Sequence, residues 1–193
     1  MSYYPIPREG RVLSLEETPW KEYACVPRTT VRVSYDEEAF ALHFVSYETE
    51  LRAKETQHNT PVCCDSCMEA FLQFAPATDP HYINIEVNPN AAVYCAVRTC
   101  REDEVLVEPE VINALGVRTH RFDDRWEVDL RIPAAWIRRF IPTYRHGVGT
   151  TIRANFYKCG DETAVPHYGA FAPITWEHPD FHRPEFFADF ILA

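Results

Sequence analysis

The chain has 193 residues, 46% hydrophobic and 25% charged, with a net charge of −10. That length buries one sizeable core, so a single domain over residues 1–193 is expected. The acidic balance excludes a nucleic-acid surface, which needs Lys and Arg against phosphate, and no stretch is long enough to span a bilayer. The opening MSYYPIPREGRVLSLEETPW lacks a basic segment followed by an apolar one. With seven cysteines, an odd number, reduced thiols and a cytoplasmic location are the expectation.

In chain order, Thr29 to Tyr35 and Ala39 to Glu48 read as strands around an Asp36-Glu37-Glu38 turn. In the second, Phe40, Leu42 and Phe44 alternate with Ala41, His43 and Val45, so both faces are at least half buried. Glu50 to Pro61 is a long polar loop, and Cys64 to Phe74 an apolar strand ended by Pro76 to Pro80. His81 to Asn88 alternates, with Tyr82, Asn84, Glu86 and Asn88 on one side and Ile83, Ile85 and Val87 on the other. Ala91 to Val97 pairs with it as a hairpin across Pro89-Asn90. The acidic segment from Arg101 to Glu110 reads as a solvated loop.

Trp126 to Ile132 alternates again, and Pro133 opens one short helix, AAWIRRF, since Pro is favoured at the first helical position. Thr151 to Lys158 is a further strand. A loop rich in aromatics, histidine and Pro follows, and Phe186 to Leu192 closes the chain as a strand. Many short strands with turn signals and a single helix argue for an all-β fold, an antiparallel β-sandwich.

These stretches resemble the family 9 carbohydrate-binding modules and the wider DOMON-like β-sandwich group, roughly from Val12 to Leu192. The resemblance rests on Trp20 after the leader, DSCMEAFLQF at Asp65 to Phe74, HYINIEVN, WEVDLRIP, ANFYKCGD and the terminal DFHRPEFFADFIL. It implies a jelly-roll-like sandwich without catalysis of its own. Its partner would be a carbohydrate, a mono- or oligosaccharide end, in a role accessory to polysaccharide breakdown. Members of the group sometimes carry structural calcium. The acidic pairs Asp123-Asp124 and Asp161-Glu162 match no calcium-loop pattern, and no other cofactor is expected.

The resemblance is closer to stand-alone family 9-like proteins than to the modules attached to xylanases, which clamp a terminal sugar between two rings. The resemblance places one ring at Phe181; at the other position stand Val62 and Cys63, so half of the clamp is missing. Glu69 is a candidate acceptor for sugar hydroxyls, or else a sheet carboxylate paired with a base. Asn84, Glu86 and Asn88 line either a polar groove or a solvated face. Asn155 and Tyr157 share a strand face, and the resemblance puts Asn155 near the site.

Trp176 is the best stacking ring among four tryptophans or a plug over the sandwich end, because Trp20, Trp126 and Trp136 sit in apolar patterns that read as core. Arg183 is either a bidentate donor or a partner of Asp180 or Glu185. The cysteines, including the Cys64–Cys67 C-x-x-C pair, read as core residues rather than zinc ligands. Two other function classes stay open. One is a sandwich module that lost sugar binding; the other is a sugar-modifying enzyme using Glu69 and Glu86.

Overall fold

A computed structural model describes residues 3–193. The described residues form thirteen strands in two sheets. The first four are β1 (Tyr4–Ile6), β2 (Arg11–Ser14), β3 (Thr29–Tyr35) and β4 (Ala39–Ser46). Then come β5 (Cys67–Gln73), β6 (Tyr82–Val87), β7 (Val93–Arg98), β8 (Val105–Leu106) and β9 (Arg118–Arg121). The last four are β10 (Trp126–Pro133), β11 (Thr151–Gly160), β12 (His167–Ala170) and β13 (Ala188–Leu192). The larger sheet runs β1-β13-β11-β5-β6-β7-β8 with β12 also on β11, and the smaller runs β2-β3-β4-β10-β9. Among the described residues only β1 and β13 pair in parallel. Among the described residues no helix is long and apolar enough to cross a membrane.

The main core lies between the sheets. Alternation sends Met68, Ala70 and Leu72 of β5 and Ile83, Ile85 and Val87 of β6 inward, against Phe40, Leu42 and Phe44 of β4 and Trp126, Val128 and Leu130 of β10. Burying side chains of this size is worth about 1.5–3 kcal/mol each relative to exposure. Trp20, Trp126 and Trp136 are all buried, as their apolar settings predict.

The larger sheet is buried on its other face as well, since every residue of β5 and β6 is buried. Chain segments rather than a third sheet cover that face. Trp20, Val62, Ile174, Phe181 and Phe187 pack on Phe71, Tyr82, Tyr157 and Cys159 as a second, smaller core. The reading of Asn84, Glu86 and Asn88 as a solvated face is therefore overturned. Asn88 is spent on structure, donating to Asp65 Oδ2 at 2.8 Å and to the Glu55 carbonyl at 2.9 Å. Asp65 also accepts the Lys54 and Glu55 amides and pairs with Arg52, which pins the long loop after β4.

Most strand ends shift by one or two residues from those expected, and three stretches differ by more. Val62–Cys64 forms a 3-10 turn, so β5 starts at Cys67. Within the acidic segment, Val105–Leu106 pairs with β7, and Pro109 opens a single-turn helix, α1 (Pro109–Ile112), because Val107 and Ile112 can be buried. The helix after Pro133, α2, is one turn, Ala134–Ile137.

At one end of the inter-sheet core lies a buried charge cluster. Lys158 Nζ sits 3.0 Å from Glu48 Oε2 and donates to His167 Nε2 at 2.9 Å and to the Cys159 carbonyl at 2.8 Å. An ammonium group only donates, so the His167 proton is on Nδ1, which gives it to the Val165 carbonyl at 2.8 Å. Burial, reinforced by the Lys158 charge, lowers His167 to about 4. Glu48 is completed by the Ser66 hydroxyl at 2.8 Å and the Trp126 indole N–H at 3.1 Å.

Candidate functional site

Period-two alternation places Glu69 of β5 and Tyr157 and Cys159 of β11 on the outer face of the larger sheet. Glu86 of β6 is the register partner of Glu69, so two carboxyl groups lie side by side. The covering segments leave a cleft of about 260 Å³ above them. Glu69, Glu86, Cys159, Phe71 and, from β12, Tyr168 are contributed by the strands; Cys63, Arg101, Asp161 and the run Pro179 to His182 come from the connecting segments.

No cation contacts either carboxyl group among the described residues. Glu69 accepts from the Cys159 thiol at 2.8 Å, and Glu86 accepts from Asn84 Nδ2 at 2.9 Å. Arg98 reaches Glu86 only through Asn84, donating to Asn84 Oδ1 at 3.0 Å. Burial, with the Glu86 charge second, pushes Glu69 well above the usual carboxyl range. Burial also raises Glu86, to about 7, against the pull of Asn84 and Arg98. The pair therefore keeps a proton near neutral pH, giving the cleft a carboxylic O–H donor beside carboxylate acceptors.

Phe181 is held in place by stacking. Its ring lies on Tyr157 with centroids 4.0 Å apart and planes 8° apart, while Trp20 and Tyr168 stand 5.8 and 6.0 Å away. Tyr157 is wholly buried and supports Phe181 from beneath. Asn155 is likewise buried, donating to the Ala172 carbonyl at 3.1 Å and accepting the Ala172 amide at 2.9 Å, so it ties the C-terminal loop to β11.

Trp176 is 42% exposed and lies outside the cleft, with the Arg183 guanidinium 3.6 Å from its ring centre. Arg183 Nε lies 2.7 Å from Asp180 Oδ2. Of the eight residues put forward from sequence, the structure brings Glu69, Glu86 and Phe181 into the cleft. Asn84, Asn155 and Tyr157 lie beneath it, and Trp176 and Arg183 form a stacked pair beside it.

Several cleft residues are not legible as such in the sequence. Arg101 comes from the acidic segment and pairs with Asp180 through Nε and a terminal nitrogen at 2.9 and 2.7 Å. His182 packs on Phe71 with ring centres 4.8 Å apart and planes tilted by 38°, and faces the Tyr82 hydroxyl at 3.0 Å. Burial, then the Arg98 and Arg101 charges, lower it to about 3, so it is a neutral imidazole. Tyr168 of β12 supplies a second ring, backed by Tyr23 at 4.9 Å, and Asp161 stands next to it, raised by burial. Cys63 lines the cleft and Val62 is buried, so neither supplies a ring at the position of the expected second clamp.

The model of carbohydrate-binding family 9 matches residues 10–192. A crystal structure of a proposed carbohydrate-binding protein from Bacteroides uniformis ATCC 8492 is similar at TM-score 0.83 and 26% identity, over 96% of this chain and 87% of that one. A family 9 module from Caldicellulosiruptor kristjanssonii in complex with cellotriose is similar at TM-score 0.64 and 13% identity, over 99% and 93%. The same kind of module in complex with glucose gives 0.66 and 12%, over 100% and 96%. No curated protein matches the chain. The chain belongs to carbohydrate-binding family 9.

Proposed function

We propose that this family 9 member is a non-catalytic carbohydrate-binding protein that takes the end of a mono- or oligosaccharide into the cleft over β5, β6 and β11. The observation that carries the reading is the pair Glu69 and Glu86, buried side by side at the bottom of an open cleft beside Phe181, with no cation among the described residues in contact. A partly protonated carboxyl pair both donates and accepts, which suits vicinal hydroxyl groups. Arg101, Asp161 and Tyr168 add donors and acceptors around it, and the Phe181 and Tyr168 rings offer apolar area to a sugar face. A cleft of about 260 Å³ is smaller than the roughly 300–1,000 Å³ of drug-sized sites, which supports one or two sugar rings. The related modules in complex with cellotriose and glucose support the same ligand class.

Binding is favoured over hydrolysis because Glu69 and Glu86 are register neighbours on one surface. A glycosidase needs carboxyl groups flanking the scissile bond. In this reading the protein serves polysaccharide breakdown as an accessory that holds chain ends. Calorimetry against a panel of mono- and oligosaccharides tests it, with Glu69→Gln and Phe181→Leu alongside wild type. Saturable binding that both variants weaken is the expected result. Silence across the panel would leave the alternative, a sandwich kept without its sugar, which the missing second clamp ring favours.

A further inference from the structure

We infer that the base of the cleft is a zinc site, with Cys67, Glu69 and Cys159 as its ligands. The two thiols belong to register partners on neighbouring strands, and Glu69 is two residues along β5 on the same face. One ligand atom from each residue, two sulfurs and a carboxylate oxygen, all lie within 4.8 Å of one another. Zinc binds thiolate at about 2.3 Å and carboxylate at about 2.0–2.2 Å, so small side-chain movements close this set around one ion. Thiolate donors select zinc over magnesium or calcium.

Three further observations separate this trio from ordinary buried cysteines. Glu69 and Cys159 border the open cleft, which gives an ion a path in. Glu86 and Asp161 line the same cleft, and the nearest cleft arginine, Arg101, is engaged by Asp180, so positive charge is what the base of the cleft lacks. Cys95 provides the contrast. It is as buried as Cys67, yet it points into the inter-sheet core among Val and Ile side chains.

On binding, two S–Zn bonds and one O–Zn bond form, and the protons held by the two thiols and by the Glu69 carboxyl group pass to the buffer. Three protein ligands leave the fourth position open toward the cleft, for water or a ligand hydroxyl group. Cys63 also borders the cleft, its carbonyl 3.7 Å from Cys159 Sγ, but the site does not require it.

The test is a titration of the reduced protein with Co²⁺, then Zn²⁺, without sugar, so that failure of the sugar reading leaves it unaffected. One equivalent of Co²⁺ should give a near-ultraviolet thiolate-to-metal band and strong visible bands of a tetrahedral ion, all erased by Zn²⁺. Cys67→Ala with Cys159→Ala should abolish the bands. Glu69→Gln, which keeps both thiols, should weaken zinc binding at least ~10-fold, and Cys95→Ala should change nothing. Wild type without the bands overturns the site. So does zinc affinity unchanged in Glu69→Gln, a result that stands even if the double variant fails to fold.

Discussion

Two clusters of buried ionisable groups occupy opposite faces of the same strand, β11, and they are built on opposite principles. On the inner face, Lys158 meets Glu48, and every group around them has a partner: His167, Ser66, Trp126 and a backbone carbonyl. On the outer face, one residue later, Cys159 meets Glu69, and Glu86 is next to it with no cation among the described residues in contact. Desolvation alone costs several kcal/mol per ion, so the first cluster is tolerable because it is complete. The second is tolerable because it keeps protons and opens to a cleft. A finished network holds a structure together, whereas an unfinished one at a cleft is where a ligand can complete the set.

The largest expected effect comes from breaking the finished cluster. Lys158→Met leaves the Glu48 carboxylate buried without its cation and should destabilise the fold by about 3–5 kcal/mol, read as a lower urea midpoint. The matching change in the unfinished cluster, Glu69→Gln, should leave stability unchanged or raised. It should instead weaken sugar binding by about 10- to 100-fold, the worth of a charge-assisted hydrogen bond, measured by calorimetry. If both variants destabilised the protein equally, the contrast would be broken.

Acid sharpens the comparison. Between pH 6.5, the ordinary histidine value, and about 4, the unfolded chain takes up a proton that folded His167 refuses. The His167 contribution to stability is therefore full above the unfolded value and declines as pH falls toward 4. Urea midpoints should show the advantage of wild type over His167→Gln shrinking across that window. The smallest effect belongs to Trp176→Ala. It removes a half-exposed contact with Arg183 worth about 0.5–1 kcal/mol and should leave sugar affinity intact. A large loss of affinity in that variant would move the site outward onto the C-terminal loop.

Much of the fold is legible in the sequence because alternation is a local property. β3, β6 and β10 are apparent from their own residues, and the shared face of Asn84, Glu86 and Asn88 follows from spacing alone. What covers that face is not local. Trp20, Phe181 and Tyr168 arrive from three separate segments, so a row that reads equally as solvated is in fact buried. Cys159 could have been found, since it continues the face shared by Asn155 and Tyr157. Arg101 could not, because an arginine in an acidic stretch carries no sign that it will reach Asp180. Trp176 shows the converse, as an aromatic residue in a loop gives no local indication of which ring enters the cleft and which is left outside.

The double burial of β5 and β6 has a consequence for time as well as for space. Amide hydrogens there are shielded on both faces and paired on both edges, so they should exchange with solvent only when the whole domain opens. A ligand seated above them could add little to that protection. Slowed exchange on sugar binding should appear instead around the mouth of the cleft, at Tyr168 of the short β12 and from Pro179 to His182. The base of the cleft would act as a fixed template and its cover as the part that answers to the ligand.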